Sequence, residues 1–121
     1  MKDASVSPIV SGAPYSRKRT VPRYIFVAVA RITDSSTQTC ILGRLSELSR
    51  KGCFVDTINP LPVGTPLQIV ISRDQGSFAT NGRVIYVQDA IGMGVGFHVP
   101  APDQLKILDG WLANRPPSEK L

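Results

Sequence analysis

The chain has 121 residues, 42% of them hydrophobic and 19% charged, which is the size and make-up of one globular domain with one modest core. No apolar run matches a membrane span, and Met1 to Ser11 has neither the basic start nor the long apolar stretch of a secretory leader, so the expected compartment is the cytoplasm. The net charge of +5 is unevenly placed: up to Arg23, five basic residues face Asp3 alone and give +4, while the rest sums to +1. A basic arm on a nearly neutral body points to an anionic partner: nucleic acid, a phosphorylated ligand or an anionic surface.

Residues 1–16 are rich in Ser, Pro and Gly and read as a flexible tail. Tyr24 to Ala30 is β-branched and aromatic and reads as a buried strand. Asp34, Ser35 and Ser36 make a turn, and Thr39 to Leu45 returns as the second strand of a hairpin. Cys53 to Val55 is a short third strand. Asn59 to Pro66, with three prolines, is a loop. Leu67, Ile69 and Ile71 mark one face of a fourth strand, and Asp74 to Gly76 a turn. Phe78 to Gln88 is a longer strand with Val84, Tyr86 and Gln88 on one face. A last strand follows Gly92 and ends near Val99.

From Asp103 to Asn114 the pattern turns helical, with Leu105, Leu108, Trp111 and Leu112 at helical spacing and Ile107 beside them. Trp111 reads as core packing. Residues 115–121 form a second tail. The expected fold is therefore mainly β: a six-stranded antiparallel β-barrel, closed to remove exposed edges, with one C-terminal α-helix.

Signatures of catalysis and metal binding are lacking. One histidine, His98, and two cysteines, Cys40 and Cys53, supply neither a triad pattern nor a four-ligand zinc set. The cysteines read as two reduced thiols packed as small hydrophobes. Gly92 to Gly96 superficially matches a dinucleotide loop, but it leads into a strand and reads as a tight turn with close backbone approach. No catalytic residue, metal or cofactor is expected.

The informative residues are Arg19-Thr20-Val21-Pro22-Arg23, just before the first strand, and Glu47-Leu48-Ser49-Arg50-Lys51-Gly52. Pro22 biases Val21 towards extended backbone, so two guanidiniums can close on a ligand from different points. Arginine suits a phosphate, or the O6 and N7 edge of guanine, because its planar fork makes two parallel hydrogen bonds. Ser49 supplies a hydroxyl, and Gly52 permits close backbone approach.

Together these motifs resemble the PilZ domain family, which has Arg-x-x-x-Arg at the mouth of its first strand and, further on, Asp or Asn, then x-Ser-x-x-Gly. Gly94 to Phe97 resembles the family's last strand, and Asp103 to Asn114 its helix, so the likeness covers residues 17–114. It implies a receptor for cyclic di-GMP on the outer surface of the barrel, with Arg19, Arg23, Glu47, Ser49 and Gly52 as ligand contacts and Lys18 adding charge. It also implies an unidentified downstream protein partner.

Glu47 stands where the family has Asp or Asn. Its longer carboxylate can accept from a guanine N–H, or it can pair with Arg19 or Arg23 and hold the empty site shut. An alternative is a family member that has lost nucleotide binding and acts as a protein adaptor. Single-stranded nucleic acid ranks third, since aromatics are sparse near the basic arm, and an enzyme ranks fourth.

Overall fold

The computed structural model of the protein describes residues 21–74 and 76–113. Six antiparallel strands, β1 (Tyr24–Asp34), β2 (Cys40–Leu48), β3 (Gly52–Asp56), β4 (Pro66–Arg73), β5 (Gly76–Gln88) and β6 (Gly92–Phe97), precede one helix, α1 (Pro102–Leu112). The strands close in the order β1-β2-β3-β6-β5-β4. The expected architecture is the observed one. The tail over residues 1–16, the arm residues Arg17, Lys18 and Arg19, and the tail over residues 115–121 lie outside the described residues.

A closed barrel has one inner face, so each strand buries every second side chain. β1 follows this rule closely: Phe26, Ala28, Ala30 and Ile32 are buried, whereas Ile25, Val27 and Val29 lie 64%, 48% and 56% exposed. The strand is thus half-buried, not buried throughout as its composition suggests. It also runs four residues past Ala30. The core gathers Phe26, Ile32, Leu45, Leu48, Ile69, Phe78 and Met93, each 1% exposed or less. Burying an aliphatic or aromatic side chain contributes about 1.5–3 kcal/mol.

Of three register shifts among the described residues, one lying between Ile25 and Ala28 of β1, the other two correct the strand readings. β2 extends to Leu48, three residues beyond the expected end, with a register shift between Leu45 and Glu47 against β3. Leu45 and Leu48 both face the core although their spacing is odd, and one extra residue at this bulge reconciles that with the period of two. A second shift separates Val84 from Tyr86 in β5. It turns Val87 towards the core and Tyr86 outward, so Val84 and Tyr86 do not share a face.

Gly92, Gly94 and Gly96 lie within β6 rather than in the turn before it. The close approaches they allow differ: a Cβ on Gly94 would sit 2.1 Å from the Tyr86 ring, and one on Gly92 would sit 2.4 Å from the Val55 carbonyl and 2.6 Å from the Phe54 ring.

Helix α1 starts with Pro102 in its first turn and buries Leu108 and Leu112. It lies along β5, where the Ala79 N–H donates to Gln104 Oε1 at 2.7 Å. Trp111 stacks beside Phe26 with ring centroids 5.2 Å apart and meets Phe78 edge-on at 6.5 Å. The Arg73 guanidinium lies 4.4 Å over the Phe26 ring. Packing of the apolar stripe, Trp111 included, is as expected.

Candidate functional site at the mouth of the barrel

Pairing of β1 with β2 brings the two motifs together. Tyr24 pairs with Leu48 and Ile25 with Glu47, so Arg23 continues β1 alongside Ser49. Cross-strand neighbours sit about 4.5–5.5 Å apart, so residues 24 positions apart in sequence share one corner. Here the Arg23 guanidinium donates to Glu47 Oε1 in an ion pair whose side chains are only 20% and 16% exposed. Of the two arrangements open to Glu47, the described residues adopt the pair with Arg23.

Ser49 is turned inward, at 7% exposure. Its Oγ accepts from the N–H groups of Lys51 and Gly52, each at 3.1 Å, and donates to the Gly52 carbonyl at 3.2 Å. One donor and two acceptor sites are the full capacity of a hydroxyl. The side chain therefore builds the β2–β3 turn, which the Ser49 N–H closes on Gly52 O at 2.8 Å. Gly52 follows from packing against β6: a Cβ there would meet the Val95 carbonyl at 2.2 Å.

The row that holds Glu47 continues across the outer surface through Phe54, Gly94 and Tyr86 by strand pairing. The Phe54 and Tyr86 rings are 6.0 Å apart and tilted by 32°. This tilted ring pair was not apparent from the sequence, because the bulge in β5 decides which way Tyr86 faces.

Arg50, in the same turn, bonds Asp109 of α1 through Nε to Oδ1 at 2.8 Å and Nη2 to Oδ2 at 3.4 Å. The two are 59 positions apart, and no local signal links them. Cys40 is exposed at the start of β2 and Cys53 is buried, both as free thiols. The expectation that both pack as hydrophobes thus fails for Cys40, which lies next to the hairpin turn. Burial pushes the Cys53 thiol pKa up, since a thiolate there would lose its hydration. His98 is exposed. Among the described residues no cluster of three or more His, Cys, Asp or Glu side chains is suited to a metal, and no helix is long and apolar enough to cross a membrane.

Fold and site define a small closed antiparallel barrel with a helix packed along it and an arginine-bearing turn region at one end. The chain belongs to the PilZ domain family, whose model matches residues 17–114. No curated protein matches it at a significant level.

Among solved structures it is similar to the PilZ domain of Escherichia coli YcgR with cyclic di-GMP, at a TM-score of 0.65 and 18% identity over 77% of this chain and 87% of that one. It is also similar to the PilZ domain of CeSA from a cellulose-synthesizing bacterium, at 0.59 and 18% over 73% and 95%. The inhibitor of motility MotI/DgrA of Bacillus subtilis matches at 0.64 and 16% over 76% of this chain. This chain spans about half of MotI/DgrA, 48% of its length. At these identities the likeness is one of fold.

Proposed function

We propose that this chain is a receptor domain for cyclic di-GMP, a bound messenger rather than a cofactor, and that it passes the signal to a protein partner in the cytoplasm without catalysis of its own. The observation that carries the reading is the shared corner of Arg23 and the Glu47 to Gly52 segment, created by β1–β2 pairing. Arg23 and Arg19 would grip phosphate and guanine, Lys18 would add charge, and the turn held by Ser49 and Gly52 would receive the ligand's other side. Membership of a family that includes a YcgR domain solved with cyclic di-GMP supports the ligand. The nearly neutral body after Arg23 argues against a nucleic-acid surface, which needs charge spread along a groove.

A second reading is favoured by specific geometry. Arg23 already has a carboxylate partner, and the Ser49 hydroxyl is fully used inside its own turn. A domain satisfied in this way can serve as an adaptor that binds protein alone.

Isothermal titration decides between them, with cyclic di-GMP as ligand and GTP and cyclic AMP as controls. The receptor reading expects saturable binding of cyclic di-GMP, weakened by Arg19→Ala and by Arg23→Ala. Each loss should be about 1–3 kcal/mol, the value of a bidentate arginine contact. Absence of saturable binding with a folded wild-type protein overturns the receptor reading and favours the adaptor reading.

A further inference from the structure

Arg50 sits directly after Ser49, one residue beyond the position alongside Arg23, yet its guanidinium is turned away from that corner to Asp109 of α1. The side chains of this ion pair are 56% and 52% exposed. The helix does not need it for docking. Leu108 and Leu112 are buried, Trp111 stacks beside Phe26 and meets Phe78 edge-on, and Gln104 caps the Ala79 N–H. An exposed pair adds little to such packing. It does tie the turn of the candidate site to the C-terminal half of α1.

We propose that Arg50 is an exchangeable anion-binding arginine: it holds Asp109 while the site is empty, and transfers to a ligand phosphate when one arrives, uncovering the Asp109 carboxylate on the surface of a helix that stays docked. This rests on the receptor reading above. Carboxylate and phosphate both match the planar fork of a guanidinium in the same two-point geometry, so exchange replaces one bidentate partner by another. A pair exposed to water on both sides is easily surrendered to a ligand with two negative charges. Arg23, on the other side of the corner, is likewise held by a carboxylate, that of Glu47. The charge left on Asp109 then lacks a cation, and α1 loses its tie to the β2–β3 turn. Signal would leave the domain through α1, on the side that carries Asp109.

The test titrates cyclic di-GMP into wild type, Asp109→Asn, Arg50→Ala and the double variant, all checked for folding by circular dichroism. Asp109→Asn removes the competitor and is expected to tighten binding about two- to fivefold, the range an exposed pair supports. Arg50→Ala is expected to weaken binding and to abolish the effect of Asp109→Asn, so the double variant matches Arg50→Ala. Amide exchange across 102–112 should change little on ligand addition, because Leu108, Leu112 and Trp111 keep the helix docked. A purely structural pair would give unchanged or weaker binding in Asp109→Asn, and additive effects in the double variant. Either result, with wild type binding normally, overturns the exchange while leaving the receptor reading intact. Failure of wild type to bind rejects both.

Discussion

At the scale of single residues, Glu47 governs how available Arg23 is. The pair is sheltered, so an anion that takes Arg23 must first displace a carboxylate. Shortening that carboxylate by one methylene loosens its reach to Arg23. Glu47→Asp is therefore expected to bind cyclic di-GMP as well as the parent or tighter, by up to roughly 1 kcal/mol, or about fivefold. Glu47→Lys should fold but bind differently, since it replaces an acceptor with a donor. Equal titration curves for all three proteins would place Glu47 outside the site.

The two cysteines give a second prediction. Cys40 is exposed and Cys53 is buried with its thiol ionisation pushed up. A thiol reagent at pH 8 should label one cysteine in the native protein and two in guanidinium, because the thiolate is the reacting species. The direction of the shift also sets a pH dependence. A group whose folded pKa is raised contributes stability below its unfolded value and loses it above. Cys53 should thus leave stability flat up to the ordinary thiol range and lower it at more alkaline pH. Rapid native labelling of both thiols would contradict the placement of Cys53.

At the scale of elements, two glycines with opposite surroundings test the packing. Gly110 lies in α1 with nothing within 4 Å of the position a Cβ would take. Gly110→Ala should stabilise the protein by up to about 1 kcal/mol, the helix propensity difference, seen as a higher Tm. Gly52 closes the β2–β3 turn, and its added methyl would strike the Val95 carbonyl at 2.2 Å. Gly52→Ala should lower Tm by pushing β3 from β6, an overpacking cost of about 1–3 kcal/mol. A neutral Gly52→Ala would argue that the glycine is retained for a ligand and not for packing.

The elements also show how far sequence reading reached. The order of the six strands and the helix was legible because each has a clear period or turn signal: Asp34 to Ser36, the prolines between Asn59 and Pro66, and the Leu108 and Leu112 stripe. Two local faults escaped it. The bulge in β2 carries Leu48 inward and extends the strand past Glu47, and the bulge in β5 turns Tyr86 outward. A bulge adds one residue to one strand opposite a partner far away in sequence, so neither composition nor period marks it.

At the scale of the whole molecule, charge is concentrated ahead of the barrel. The first 23 residues carry +4 and the remainder +1. Attraction of a dianionic ligand to such an arm is screened over about 8 Å at physiological ionic strength, so binding should weaken measurably between low and high salt. Titration across salt concentrations checks this. Affinity independent of salt would show that the arm takes no part, leaving the contacts at Arg23 and the turn.

The sequence by itself determined the architecture and the residues to watch. An apolar period of two, broken by turns, permits few arrangements for six short strands, and the Arg-x-x-x-Arg and Glu-x-Ser-x-x-Gly patterns carry their chemistry in residue type and spacing. Only the tertiary structure decided what those residues touch. Register across β1 and β2 gave Arg23 to Glu47, the turn geometry consumed the Ser49 hydroxyl, and packing of α1 brought Asp109 to Arg50. Each of these is a contact between distant parts of the chain, and distance in space follows from strand pairing and core packing, which no local window of sequence contains.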